Sequence, residues 1–183
     1  MAVAVEMNFL AVDVETACAD QGSICQLGVA FFRAGRCVRV ESRLICPETE
    51  FAQFNSALHG IRFEHVAQQP TWRALYPEVL AWVRDSVLVS HTFFDRTAME
   101  RVCQRYGLAM PPYTKWIDTC AAARHSWPWL ENHKLPTLAR HFGLVYRAHD
   151  AGEDARVAGE IYLRSIYGGA DWRGKCATGG RGA

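Results

Sequence analysis

Four acidic residues and one histidine, widely separated along the chain, fall at the ends of predicted strands or the starts of predicted helices: Asp13, Glu15, Asp95, His149 and Asp154. In an α/β sheet, the carboxyl ends of the strands and the first turns of the following helices meet at one edge, where functional sites form. An architecture of that kind would bring these five side chains together. Their placement therefore constrains the fold more than the composition does.

Strand-like and helix-like segments follow one another in an order typical of an α/β protein. Gly35 supplies a turn between the second and third strands, and Pro77 lies inside a helical pattern, where it would kink or restart the helix. The predicted strands cover residues 9–14, 23–32, 37–45, 86–91 and 115–117, and the predicted helices cover residues 51–58, 72–83, 135–142 and 151–167. A further helical stripe at residues 99–106 belongs to a helix that opens between Thr92 and Asp95. The order predicts an α/β three-layer sandwich, with a central mixed sheet and helices on both faces.

The length of 183 residues suits one domain with a full core, which we place at residues 1–167. Residues 168–183 are rich in glycine and carry three basic side chains, so we expect a flexible basic tail. The net charge is +1, from 20 basic and 19 acidic residues. That balance argues against a protein that coats long duplexes, but it permits an enzyme that grips a few phosphates.

The cysteines and the apolar runs indicate the compartment. There are seven cysteines, an odd number, without a C-x-x-C pair, and the start of the chain lacks the basic region of a signal peptide. We therefore expect reduced thiols, no zinc site and a cytoplasmic location. No apolar run approaches the roughly 18 residues that a membrane helix needs, so no membrane association is expected.

Asp13 and Glu15 end the first predicted strand, two residues apart, so both side chains project from the same face. Two carboxylates held that close repel each other unless cations lie between them. Asp95 falls in the first turn of a helix, directly after a buried strand. Two interpretations of Asp95 stay open: it faces the cleft at the strand ends, or it forms a capping box with Thr92.

His149 and Asp154 flank the start of the last predicted helix. Asp150 and Glu153 have the spacing of a capping box, which would make Asp150 the N-cap and would bring His149 beside Asp154. Asp154 also continues the apolar stripe of that helix, so it faces inward and needs a partner or a metal ion. The structural alternative is an Asp–His hydrogen bond that merely closes the helix end.

Together, these motifs resemble those of the DEDD exonuclease superfamily, histidine subtype. Residues 13–16 (DVET), 90–95 (SHTFFD) and 149–154 (HDAGED) resemble its first, second and third motifs, and the proofreading epsilon subunits of bacterial replicative polymerases are similar. Two departures lie near the expected substrate path: Thr92 stands where Asn is common, and Ala17 where Gly is usual. The tyrosine subtype would need a tyrosine four residues before Asp154, and that position is Asp150.

The resemblance implies a ribonuclease H-like fold and the release of nucleotides from the 3′ end of single-stranded or frayed DNA. Asp13, Glu15, Asp95 and Asp154 would bind two divalent cations, Mg²⁺ or Mn²⁺, since carboxylates and phosphate oxygens are the hard ligands that these ions prefer. His149 would act as the general base on water, for which its imidazole must be neutral. All five are therefore candidate catalytic residues.

The resemblance also implies substrate contacts, with simpler structural alternatives for most of them. Phe94 and the segment 58–61 would stack on or wedge against terminal bases. The residues assigned to substrate binding are Thr16, His59, Ile61, His91 and Phe94. Core packing is the alternative for Phe94, and a fully hydrogen-bonded residue at a strand end is the alternative for His91.

Other functions compete with a DNA exonuclease. The nearest alternative is an RNA-trimming exoribonuclease of the same superfamily. A second is a non-catalytic module that binds nucleic acid or a polymerase, although the complete acidic set argues against a decayed site. A third alternative is a glycosidase, which needs only two carboxylates and would leave the other acids unexplained. A DNA polymerase subunit is a candidate partner, but the short tail does not resemble the epsilon extension that binds one.

Overall fold

The computed structural model describes residues 8–168. Five strands form one mixed sheet: β1 (Phe9–Thr16), β2 (Ile24–Arg33), β3 (Arg36–Leu44), β4 (Val87–Ser90) and β5 (Lys115–Asp118). Their order in the sheet is β3-β2-β1-β4-β5, in which β1 pairs antiparallel with β2 and parallel with β4. The predicted mixed sheet is thus confirmed, and β1, which carries the first acidic motif, lies at its centre. The predicted tail after Gly168 lies outside the described residues.

The burial of each strand follows from its place in the sheet. β2 is covered on both faces and reads as an almost continuous apolar run, typical of a central strand. β3 forms the edge of the sheet and is largely exposed, including Val38 and Val40, although its alternating sequence is typical of a half-buried strand. The hairpin between them turns through Ala34 and Gly35, whose φ angles are 49° and 72°. Two successive positive φ angles fit the right-handed twist of the flanking strands, and Gly35 adopts this conformation without steric cost.

Helices cover both faces of the sheet, as predicted. They are α1 (Gln53–His59), α2 (Phe63–Val66), α3 (Trp72–Val83), α4 (Phe94–Arg105), α5 (Thr119–Ser126), α6 (Leu135–His141) and α7 (Ala151–Tyr167). Side chains of α3 and α4 share a core with one face of the sheet, whereas α7 packs on the opposite face. α2 is too short to show a helical period, and the sequence did not predict it.

Pro77 does not divide α3, which continues through it from Trp72 to Val83. A proline inside a helix removes one backbone hydrogen bond and strains the preceding turn. Trp72, Leu75, Val79 and Val83 are all buried beneath the helix, on both sides of the proline. Their burial offsets the local cost, so the helix neither ends nor restarts at that point.

The start of α7 lies directly on β2, at Gly28. A Cβ atom on Gly28 would lie only 2.0 Å from the carbonyl oxygen of Ala151, the first residue of α7. Gly28 is also the residue paired with Asp13 across β1 and β2. The absence of a side chain at this position therefore allows the first turn of α7 to reach the acidic end of β1.

No helix among residues 8–168 is both long enough and apolar enough to cross a membrane. Within the same residues, the six cysteines are all free, and three of them are buried.

We predict that Gly28→Ala destabilises the protein strongly, by about 3 kcal/mol or more, because backbone stands where the new methyl group would be. The matched variant Gly107→Ala tests the same substitution in open space: Gly107 has φ 62°, and a Cβ atom added there would meet no other atom within 4 Å. It should cost only about 1–2 kcal/mol, from backbone conformation alone. Urea denaturation of both variants measures the difference, and equal losses would contradict the close approach of α7 to β2.

Candidate active site

β1 presents the first two acids toward the α7 side of the sheet. Phe9 and Ala11 pack on that side in a cluster with Ala155 of α7. Asp13 and Glu15 continue the same alternation, so their carboxylates face the first turn of α7. The pairing of β1 with β2 shifts register between Glu15 and Thr16, which ends the regular strand directly after the acidic pair.

Asp95 reaches the same place from the first turn of α4. The parallel pairing of β1 with β4 involves Leu10 and Ala11 and does not extend beyond them. The carboxylate of Asp95 accepts a hydrogen bond of 3.0 Å from the backbone N–H of Val14, further along β1. Asp95 therefore occupies the gap that opens where the two strands separate, and it is almost completely buried.

The alternative interpretation of Asp95, a capping box with Thr92, is wrong, because α4 begins one residue later than that box requires. The N-cap of α4 is Phe93, and no side chain caps it. The Thr92 hydroxyl instead accepts the N–H of Phe94, at 3.3 Å. Thr92 itself has φ 93°, a conformation that a β-branched residue rarely adopts. The turn between β4 and α4 is thus strained directly before Asp95.

The start of α7 contributes His149 and Asp154. Asp150 caps the helix by accepting the N–H of Glu153, as predicted, but the Glu153 carboxylate pairs with Arg156 instead of completing the box. Asp154 accepts a 2.8 Å hydrogen bond from the backbone N–H of His149, not from its ring. The Nδ1 atom of the imidazole lies 3.9 Å from Glu15 Oε1.

All five predicted catalytic residues line one cleft of about 270 Å³. One ligand atom from each of Glu15, His149 and Asp154 lies within 4.8 Å of the other two. Asp13 and Asp95 border the same cleft. The structure therefore brings together the acids of three separate motifs, together with the histidine.

Burial and mutual repulsion raise the pKa of every acid in the cleft. Burial is the largest cause for each of them; it raises the pKa of Glu15 to about 8 and the pKa values of Asp95 and Asp154 to about 7. The pKa of Asp13 is raised well above its ordinary value, by burial and then by the charges of Asp95 and Asp154. Carboxylates that resist ionisation because they crowd together are a donor set suited to divalent cations, whose charge removes the repulsion.

Two of the predicted substrate residues, His91 and Phe94, also line this cleft. Both ring nitrogens of His91 are engaged at 2.9 Å, Nδ1 with the Thr119 hydroxyl and Nε2 with the carbonyl oxygen of His133. A carbonyl oxygen can only accept, so Nε2 carries the proton, and Nδ1 accepts from Thr119. This arrangement supports the structural interpretation of His91. Phe94 is 40% exposed, which leaves its ring open to a ligand.

The other three predicted substrate residues lie beside the end of β1. His59 Nδ1 accepts the N–H of Ile61, so its Nε2–H donates to the carbonyl oxygen of Thr16, at 3.1 Å. Asn55, which the sequence did not single out, donates to the same carbonyl oxygen at 2.9 Å. Ile61 is buried with Ala17 in a small hydrophobic cluster. α1 is thereby tied to the strand end, and Ile61 acts in packing in this structure.

Four further residues outside the three motifs line the cleft, and the sequence did not single them out: Leu135, Pro136, Tyr146 and Ala148. Leu135 and Pro136 begin α6, which had no acidic motif to draw attention to it. Tyr146 lies three residues before His149, and its position near the third motif was a usable signal. Its spacing to Asp154 does not match that of the tyrosine subtype.

The model of an exonuclease family, named for RNase T, matches residues 10–162. This chain belongs to that exonuclease family. The resemblance drawn from the three motifs is thereby confirmed.

Similar proteins agree with this assignment. The DNA polymerase III subunit epsilon of Treponema pallidum is 31% identical over 97% of this chain and 85% of its own length. The PolC-type DNA polymerase III of Caldanaerobacter subterraneus is 27% identical over 88% of this chain, which spans only 12% of that much longer protein. The 3'-5' exonuclease DinG of Staphylococcus epidermidis is 25% identical, and this chain spans 18% of its length.

Solved structures confirm the fold. The nuclease domain of 3'hExo, described as a DEDDh family member bound to rAMP, has a TM-score of 0.75 at 17% identity, over 89% of this chain and 93% of that one. Exonuclease X in complex with 5' overhanging duplex DNA has a TM-score of 0.71 at 22% identity, over 86% of this chain and 90% of that one. The predicted ribonuclease H-like architecture is therefore correct.

The raised pKa values predict a pH dependence of stability and of metal binding. In the absence of metal, the folded acids hold protons up to about pH 7–8, whereas unfolded ones release them near pH 4. The metal-free protein should therefore lose stability as the pH rises from about 4 to 8. Cations compete with these protons, so Mg²⁺ or Mn²⁺ should raise the melting temperature more at pH 8 than at pH 5.5. Thermal denaturation with metal and with EDTA measures this, and equal shifts at both pH values would contradict it.

The strained turn before Asp95 predicts a stabilising substitution. Thr92→Asn should raise the free energy of unfolding by about 1 kcal/mol, because asparagine tolerates positive φ better than a β-branched residue does. The asparagine side-chain oxygen can also accept the N–H of Phe94, as the threonine hydroxyl does. Urea denaturation measures the change, with Thr97→Asn as the control, because half-buried Thr97 lies within α4 and does not have a positive φ. A loss of stability in Thr92→Asn would show that the turn is not strained.

Proposed function

We propose that this chain is a 3′–5′ exonuclease that releases nucleotides from the 3′ ends of single-stranded or frayed DNA by two-metal hydrolysis. The observation that carries the proposal is the cleft in which acids from three distant motifs meet His149. Membership of the exonuclease family supports phosphodiester hydrolysis over the glycosidase alternative. The complete acidic set argues against a non-catalytic binding module.

Asp13, Glu15, Asp95 and Asp154 would hold two divalent cations, Mg²⁺ or Mn²⁺, between the end of β1 and the starts of α4 and α7. Bound there, such a pair of ions stabilises the attacking and leaving oxygens of the phosphodiester. The chain's own contribution is to hold the acids rigidly in place. Asp95 is fixed by the N–H of Val14, and Asp154 by the N–H of His149.

His149 would accept a proton from the attacking water. Its Nδ1 faces Glu15, at 3.9 Å from Oε1, which leaves Nε2 as the proton acceptor. The φ angle of 62° at His149 turns the residue away from the helix that follows, while its N–H stays on Asp154. The side chain is 44% exposed, so water can reach it.

The comparisons favour DNA and keep RNA as the alternative substrate. The relatives named above are DNA polymerase III subunits and a 3'-5' exonuclease, and one solved structure holds duplex DNA. In contrast, the nuclease domain of 3'hExo holds rAMP. The exposed ring of Phe94 at the cleft would stack on a terminal base of either nucleic acid, since stacking is tolerant of sequence.

The hydrogen bonds and packing of the remaining predicted substrate residues show which of them could reach a substrate. Thr16, at the end of β1, is proposed to meet the terminal sugar. His59 would act by holding the Thr16 carbonyl in place, as its hydrogen bond suggests. Phosphate contact by His91 requires one of its two present hydrogen bonds to be exchanged, and base contact by Ile61 requires it to leave its cluster. Thr16 is itself buried, and its hydroxyl and carbonyl oxygens both accept from Asn55. We therefore favour Phe94, whose ring is exposed at the cleft.

A DNA polymerase subunit is a candidate partner, on the strength of the epsilon relative, 85% of whose length this chain covers. Proofreading or repair would then be the pathway in which this chain acts. A cytoplasmic location stays a prediction from the cysteine content.

The proposal is tested by incubating 5′-labelled single strands of DNA and RNA with the purified protein and Mg²⁺, Mn²⁺ or EDTA. We expect ladders that shorten from the 3′ end, faster on DNA than on RNA, and none with EDTA. A 3′-phosphorothioate end should slow the first step. Faster shortening of RNA would establish the alternative substrate, and equal degradation with EDTA would contradict metal-dependent hydrolysis.

We predict that His149→Ala lowers the turnover rate by about 10²-fold or more, since general bases typically contribute 10²–10⁴. The variant should keep the metal-induced rise in melting temperature, because the four acids remain. His125→Ala, at an exposed position in α5, is the matched control and should hydrolyse at the normal rate. Normal turnover by His149→Ala would remove this residue from the mechanism.

A further inference from the structure

Tyr146 carries a buried hydroxyl that makes no hydrogen bond. No other residue within 8–168 donates a hydrogen bond to this hydroxyl or accepts one from it. A buried hydroxyl without a partner costs about 1–3 kcal/mol. Such a group in a native protein calls for an explanation, and a ligand that is bound during function is one.

The surroundings of Tyr146 show where its partner would lie. The residue packs against the hydrophobic cluster that joins α6 to α7, with Leu135 and Val157 among its members. Tyr146 also lines the cleft, and the negative charges of Asp13 and Asp154 act on its phenol. The ring therefore packs on the cluster, in a residue that borders the acidic cleft.

The phenol is a permanent donor at this position. Burial, followed by the charges of Asp154 and Asp13, raises the pKa of Tyr146 to about 12, so the hydroxyl keeps its proton at any pH at which the enzyme works. A group of this kind does not accept a proton from water, so Tyr146 does not replace His149 as the base. It requires an acceptor, and the oxygens of a phosphate are strong acceptors.

We propose that the Tyr146 hydroxyl donates a hydrogen bond to a non-bridging oxygen of the terminal phosphate of the nucleic acid. This inference rests on the proposed function, because it assumes that phosphate enters the acidic cleft. Tyr146 then serves in binding and orienting the reacting phosphate. The spacing of the acidic motifs does not indicate this role.

The experiment compares the wild-type protein with Tyr146→Phe by two measurements: thermal denaturation without metal, and calorimetric titration with thymidine 5′-monophosphate in the presence of Mg²⁺. The substitution removes one oxygen atom and leaves the ring in its cluster. Tyr76→Phe is the matched control, since the Tyr76 hydroxyl donates to the carbonyl oxygen of Ala109 at 2.9 Å, outside the cleft.

We expect Tyr146→Phe to bind the nucleotide roughly tenfold more weakly, the loss of one hydrogen bond to a charged acceptor. Its melting temperature should be equal to or above that of the wild type, because an unpartnered buried hydroxyl is gone. Tyr76→Phe should show the reverse pattern, with a lower melting temperature and unchanged nucleotide affinity.

The outcomes separate this inference from the proposed function. If the wild type binds the nucleotide and Tyr146→Phe binds it equally well, the role of Tyr146 is refuted and the exonuclease proposal stands. A wild type that does not bind the nucleotide at all overturns both. A clear fall in the melting temperature of Tyr146→Phe would show that the hydroxyl has a partner within the protein, which refutes the inference as well.

Discussion

The contact between the first turn of α7 and Gly28 of β2 is the constraint on which the rest of the site depends. The approach is so close that a single methyl group on Gly28 would collide with the carbonyl oxygen of Ala151. It places Asp154 and His149 over the strand that carries Asp13 and Glu15. Without this contact, the third motif would lie far from the first.

The site holds its acidic side chains rigidly, and the ionisation of these side chains costs electrostatic free energy. Asp95 and Asp154 each lie in the first turn of a helix, where the helix dipole favours negative charge, and each accepts a backbone N–H. These interactions offset only part of the penalty, since the pKa values of both acids remain raised to about 7. Bound cations would remove the remaining repulsion. The same acids that destabilise the metal-free protein would therefore give it affinity for metal.

Much of this arrangement was predictable because it follows from local rules. The alternation of β1 placed Asp13 and Glu15 on one face, and the Asp150 cap at α7 was evident from its spacing to Glu153. The orientation of His149 was not predictable. Its imidazole turns toward Glu15 because its backbone N–H is held by Asp154, and this choice depends on a strand more than a hundred residues away. The continuation of α3 through Pro77 likewise depends on burial beneath the helix, which no local pattern shows.

The central claim is that acids from three motifs bind a pair of cations in one cleft. Anomalous diffraction from a crystal grown with Mn²⁺ and a nucleoside monophosphate tests it most directly. We expect two manganese peaks about 3.5–4 Å apart, bounded by Asp13, Glu15, Asp95 and Asp154. A cleft without manganese in such a crystal, or acids that bind ions separately at distant points, would contradict the account.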